Sequence, residues 1–219
     1  PGTTDVPGGI TDPTNPDTDG DGVVDGTEGT DGTDPNDPCD YDSNSITLAQ
    51  TGAWNAADCD GDGVTNGTEL TDGTDPNDPC DLIVASQDTT PDAAWNAADC
   101  DGDGLTNEEE VTGIDDPSTP DVPGGITDPT NPDTDGDGVT DGVEGTDGTD
   151  PNDPCDLILA DQDAVPDNVW NTADCDNDGL TNEEETTGID DPSTPDVPGG
   201  ITDPPVSYTH LRAHETEAY

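Results

Sequence analysis

Residues 1–205 contain no lysine, arginine or histidine, and the 219-residue chain has one basic side chain, Arg212, against 56 acids. A formal net charge of −55 offers phosphates no counter-charge, which excludes nucleic-acid binding and, equally, docking on an anionic membrane surface. Apolar groups are almost as scarce. The chain is 25% hydrophobic, has no Phe, and contains 29 residues of Leu, Ile and Val. That share is about 13%, below the roughly one-fifth level at which such charge predicts disorder. A core of ordinary size cannot be built from it, so an enzyme is not expected, and no apolar run approaches the length that would cross a membrane. Ser–His or Cys–His catalysis is excluded for residues 1–205 because His210 and His214 both lie beyond them. Met is absent, so Pro1 is read as a processed end or an internal cut. Residues 206–219 hold Arg212, both His, Tyr208 and Tyr219, and VSYTHLRAHET (206–216) resembles translated sequencing-adapter sequence. This tail is read as non-native. What remains is a polyanion that only cations can neutralise.

Against these absences stands repetition. The segment DVPGGITDPTNPDTDGDGVVDGTEGTDGTDPNDPCD from Asp5 returns at Asp121 with two changes, Val24 to Thr140 and Thr27 to Val143. A second unit, CD…AWNAADCDGDGVTNGTE, starts at Cys39, Cys80 and Cys155. The reading is repeat A1 at 5–38, B1 at 39–79, B2 at 80–120, A2 at 121–154, B3 at 155–195 and a truncated A3 at 196–205. Tandem units of this length predict an array in which each unit touches its neighbours.

Every complete unit holds one twelve-residue segment D-x-D-x-D-G-x-x-[DN]-x-x-E. Calcium is a hard cation taking about six to eight oxygens, and such a loop supplies them from positions 1, 3 and 5, the position-7 carbonyl, position 9 and a bidentate Glu at 12. Gly at position 6 lets the backbone turn around the ion. The first loop uses Asp17, Asp19, Asp21, Val23, Asp25 and Glu28, and the second Asp58, Asp60, Asp62, Val64, Asn66 and Glu69. The third uses Asp99, Asp101, Asp103, Leu105, Asn107 and Glu110, and the fourth Asp133, Asp135, Asp137, Val139, Asp141 and Glu144. The fifth uses Asp174, Asp176, Asp178, Leu180, Asn182 and Glu185. Five complete matches predict at least five calcium ions. Magnesium keeps its waters and avoids all-protein cages, and zinc wants His or thiolate. The ligand positions take 22 carboxylates and leave 32 elsewhere in the repeats. Of these Asp12, Asp31, Asp34 and Asp37 are candidates for second sites or for plain turn residues.

The surroundings of the loops are not those of an EF-hand. Pro13 and Pro16 preclude an incoming helix before Asp17, and AWNAA allows at most one turn. After the third and fifth loops, Thr106 with Glu109 and Thr181 with Glu184 form capping boxes, each opening about two helical turns that end near Gly113 or Gly188. Tandem D-x-D-x-D-G loops, Pro-rich joints, cysteines and no paired helices resemble thrombospondin type 3 repeats, above all their bacterial cell-surface versions. The resemblance spans nearly all of residues 5–205. It implies a mostly irregular, elongated calcium-binding array with little regular secondary structure, serving as a spacer in secreted proteins, with the loop residues above as ligands. The chain departs from the animal repeats in using Glu at position 12 and in lacking their Cys-Pro step, so their disulfide pattern is not transferred. Dockerins follow each such loop with an amphipathic helix bearing basic and hydroxyl residues, which is not expected here, and the nonapeptide of calcium β-rolls is missing.

The six cysteines, Cys39, Cys59, Cys80, Cys100, Cys155 and Cys175, allow 15 connectivities. Pairing inside each B unit alone keeps one separation of 20 at all three sites, so local bridges are expected. Inside each, an apolar run (Ile46 and Leu48; Leu82 to Val84; Leu157 to Leu159) should form a short strand in a small disulfide-closed hairpin packing on Trp54, Trp95 or Trp170. The functional expectation is a calcium-dependent spacer or stalk of an extracellular or cell-surface, bacterial protein, with other domains of a longer chain as neighbours. The alternative is an adhesive module touching a matrix, mineral or polysaccharide through its remaining acids.

Overall fold

The computed structural model describes residues 9–113 and 125–188. The repeat joints at 114–124 and the region 189–219, including the truncated A3 unit and the tail, lie outside the described residues. The described chain falls into two compact units, one up to Trp95 and one from Asn96. Most of it is loop and turn. The regular elements are eight helices of four to seven residues and three 3-10 turns, with no strand among the described residues. No helix of the described residues is long and apolar enough to cross a membrane.

A helix follows every loop: α1 (Asp25–Asp31), α3 (Asn66–Asp72), α5 (Asn107–Thr112), α6 (Asp141–Asp147) and α8 (Asn182–Thr187). The three short turns carrying the tryptophans are α2 (Gly52–Asn55), α4 (Ala93–Asn96) and α7 (Asn168–Thr172). The capping boxes at Thr106/Glu109 and Thr181/Glu184 form as expected, and Gly113 and Gly188 end their helices in the left-handed conformation. Helices α1, α3 and α6 form where the sequence offers no capping box. Their sequences, DGTEGTD, NGTELTD and DGVEGTD, are poor helix formers, and no side chain caps them. The loop itself starts them. In all five loops the position-9 N–H donates to the carbonyl of the residue before position 1, as Asp25 does to Pro16 at 3.0 Å and Asn66 to Ala57 at 2.8 Å. A left-handed glycine then closes each, Gly32 donating to the Glu28 carbonyl at 2.7 Å. These helices carry acids in the first turn and no basic residue in the last, so they lack the basic character of a dockerin recognition helix.

The apolar runs do not form strands. Three 3-10 turns, Ser43–Ser45, Val84–Ser86 and Leu159–Asp161, lie beside Ile46 or begin at the last residue of the other two runs, and N–H groups after these turns bind the preceding loop instead of a paired strand. The Gly22 carbonyl accepts from Thr47 and Leu48, both at 2.9 Å, and the Gly20 carbonyl accepts from Thr51 at 2.9 Å. Asp88, Thr89 and Asp92 repeat this clamp on Gly63 and Gly61, and Asp163, Ala164 and Asp167 repeat it on Gly138 and Gly136. Each B unit is thereby bolted to the loop before it within its compact unit. The apolar contacts follow the same path: Val139 of the fourth loop packs with Leu157 and Trp170, with Val143 and Leu159 against them. Trp54, Trp95 and Trp170 are all buried, and the indole N–H of Trp54 donates to the Pro38 carbonyl at 2.9 Å. The disulfides Cys39–Cys59 and Cys155–Cys175 close two of these segments, and Cys80 and Cys100 are disulfide-bonded too, leaving no free cysteine.

Candidate metal centre

The carboxylates at positions 1, 3 and 5 turn each loop inward by accepting its own backbone N–H groups. Asp17 takes the Gly20 N–H at 2.7 Å on one oxygen and the Gly22 N–H at 3.1 Å on the other. Asp21 takes the Val23 N–H at 2.7 Å. Asp58 and Asp62, Asp99 and Asp103, and Asp133 and Asp137 do the same in the next three loops. In the fifth, Asp174 holds Gly179 and Asp178 holds Leu180, each at 3.0 Å. Glycines with positive φ at position 6, such as Gly22 at 97°, permit the turn. The outcome is three carboxylate oxygens within 4.8 Å of one another at Asp17/Asp19/Asp21, Asp58/Asp60/Asp62, Asp99/Asp101/Asp103 and Asp133/Asp135/Asp137.

The oxygens left over are the informative ones. In the first loop Asp19 Oδ2, Asp21 Oδ2 and both Glu28 oxygens are buried without a hydrogen bond, and in the second so are Asp60 Oδ2, Asp62 Oδ2 and both Glu69 oxygens. Asp135 Oδ2 and Asp137 Oδ2 repeat this in the fourth loop, where the Thr149 hydroxyl lies beside Glu144. A buried carboxylate oxygen without a partner is costly, and several together repel one another as well. Desolvation first, and then neighbouring acids, push Glu28 and Glu69 up to about 8, Glu110 and Glu144 to about 9, and Asp135 to about 8. In the first two loops positions 3, 5 and 12 thus present one, one and two oxygens to a space that no other described residue satisfies. That donor set fits a hard divalent cation bound bidentately by the Glu.

Position 9 has another task. The Thr18 N–H and hydroxyl donate to the two oxygens of Asp25 at 2.8 and 2.9 Å, and Thr134 does the same to Asp141. In the B loops the Cys59 N–H donates to Asn66 Oδ1 at 3.1 Å, with equivalents at Cys100/Asn107 and Cys175/Asn182. The position-9 side chain therefore ties position 2 to the start of the helix. The carbonyl-bearing residues at position 7, Val23, Val64, Leu105, Val139 and Leu180, bury their side chains as the small core. Three linker acids behave as turn residues, with Asp12 accepting from Thr14, Asp34 from Asn36 and Asp37 from Cys39, while Asp31 accepts from the Ser45 hydroxyl of the next unit.

Five segments of the chain, 17–38, 58–79, 99–113, 133–154 and 174–187, match the family described as bacterial TSP3 repeat. Each match begins on the first aspartate of a loop. The chain carries five bacterial TSP3 repeats. No curated protein and no solved structure matches it.

TSP3 repeats are calcium-binding structural modules, and the acidic groups gathered here have the chemistry for that ion. Cysteines oxidised inside such repeats point to an extracellular or cell-surface setting. Sequence reasoning missed the residues that join one TSP3 repeat to the next. The Gln87 amide donates to the Asp62 carbonyl at 2.7 Å, and the Thr89 hydroxyl donates to Asp58 Oδ2 at 3.0 Å, both reaching from B2 into the loop of B1. A signal existed in the equal spacing from Asp17, Asp58 and Asp133 to the next Trp, but which groups meet there depends on contacts between repeats.

Proposed function

We propose that this array is a calcium-dependent structural spacer of a secreted or cell-surface protein, ordered and stiffened when each loop takes up one ion through the residues named above. The observation that carries the reading is the recurrence of buried, unpartnered oxygens at positions 3, 5 and 12. Without cations these groups and the net charge of −55 drive the chain open, so ligand binding supplies folding free energy. The Gly carbonyl clamp then passes order from one loop to the following unit, as expected of a nearest-neighbour array. The linker acids serve backbone turns, which favours a scaffold over an adhesive surface. Titrating the disulfide-intact chain from chelator into calcium tests this. Circular dichroism and light scattering should report a cooperative gain of structure and a smaller hydrodynamic radius, with at least five ions bound by calorimetry. An unchanged signal at millimolar calcium would sink the proposal.

A further inference from the structure

One junction differs from the others. Where A2 follows B2, the acids of the two units meet directly. Oxygens of Asp103 and Glu110 from the third loop and of Asp141 from the fourth lie within 4.8 Å of one another. Glu110 and Asp141 are fully buried, and Glu110 Oε2 has no hydrogen bond. The backbone is tied across the same seam. The Gly142 N–H donates to Asp103 Oδ2 at 2.8 Å, and the Thr127 hydroxyl donates to the other Glu110 oxygen at 3.2 Å. Three carboxylates brought together in a buried seam, one with an oxygen that nothing satisfies, are unstable unless a cation lies among them.

We propose that the calcium ion of the third loop is shared between repeats, with Asp141 of the following unit supplying an oxygen beside Asp103 and Glu110. The inference rests on calcium filling the loops and adds which residues hold one of the ions. It also accounts for a sequence difference. Position 9 is Asn in every B loop and Asp in both A loops, and an A loop is the one that meets a preceding B loop at such a seam. Thr134 holds both Asp141 oxygens, as Thr18 holds those of Asp25, so the side chain is oriented before any ion arrives. Asp25 is the matched control, because the residues before it in this sequence contain no D-x-D-x-D-G loop.

The test is peptide-resolved hydrogen exchange across a calcium titration of the full chain, wild type against Asp141→Asn and Asp25→Asn. Asp141→Asn should raise the calcium midpoint for protection of residues 99–113 roughly tenfold, while Asp25→Asn leaves that midpoint in place. A midpoint at 99–113 that Asp141→Asn does not move, or a shift confined to the fourth loop, overturns the sharing. So does an equal shift from Asp25→Asn. No calcium-induced protection anywhere in the wild type would instead remove the spacer reading itself. Independently of any variant, calcium anomalous scattering from crystals of the wild type should place an ion about 2.3–2.6 Å from an Asp141 oxygen, and an ion out of its reach overturns the proposal.

Discussion

The Nδ2 amide of Asn66 donates to Sγ of Cys59 at 3.2 Å while Asn66 Oδ1 accepts the Cys59 N–H at 3.1 Å. In the A loops the same two positions are Thr and Asp, and there the Thr hydroxyl donates to the acid. The pairing is complementary by necessity. A sulfur already in a disulfide can only accept, so it needs an amide, whereas a hydroxyl can donate to a carboxylate. Asn66→Asp removes the donor and sets a charge against the sulfur. Calcium-loaded protein should lose about 1–3 kcal/mol, read from urea unfolding followed by Trp fluorescence.

Position 4 provides a second test. A Cβ at Gly61 would stand 2.7 Å from Asp92 Oδ2, and Asp92 is fixed by accepting the N–H groups of Ala94 and Trp95. A Cβ at Gly102 meets nothing within 4 Å, since no B unit follows the third loop. The fifth loop, also followed by an A-type sequence, has Asn177 at this position with φ of 61°. Gly61→Asn should therefore cost about 1–3 kcal/mol by displacing the cap, and Gly102→Asn less than about 1 kcal/mol. Thermal unfolding in excess calcium compares them directly.

The apolar contact between Val139 and Trp170 links a loop to the unit after it. Trp170→Ala should remove about 3–5 kcal/mol of stability from the A2–B3 pair. It should also weaken calcium binding at the fourth loop while the first and second loops keep theirs. Hydrogen exchange of residues 133–154 against 17–38 reads the difference.

Protons and calcium should compete for the same carboxylates, and each should compact the chain. Burial and neighbouring acids raise Glu28 and Glu69 from an ordinary 4.5 to about 8 in the folded state. A folded state that holds its protons more tightly is stabilised by them fully below the unfolded value of 4.5 and loses that contribution as pH rises through about 8. The metal-free chain should therefore compact on acidification and open toward alkaline pH, as followed by circular dichroism in chelator. Calcium binding at pH 7 should expel protons, and calorimetric heats should change with the ionisation enthalpy of the buffer.

Much of this was legible in the sequence, because the loop pattern is chemistry written at fixed spacing. The Asp17, Asp19 and Asp21 oxygens converge since alternate residues of a tight turn face inward, and the capping boxes at Thr106 and Thr181 announce their helices. Helices α1, α3 and α6 were hidden because Gly26, Gly67 and Gly142 argue against helix, and only the ring of bonds from Asp25 to Pro16 and Thr18 overrides them. The strands expected at Leu82 and Leu157 failed for a related reason. Their apolar side chains signal burial, but whether the N–H groups after them find a strand or the Gly63 and Gly138 carbonyls depends on contacts between repeats.

The clamp on Gly20 and Gly22 runs in one direction along the chain, since donors always come from the later unit. A loop therefore waits for its successor. During synthesis and export the first loop cannot be finished until residues 47–51 have emerged, so assembly of such a chain is vectorial. Cleavage in a joint would leave the fragment before the cut with an unfinished last loop, while the fragment after it keeps every clamp whose donors and acceptors it still contains.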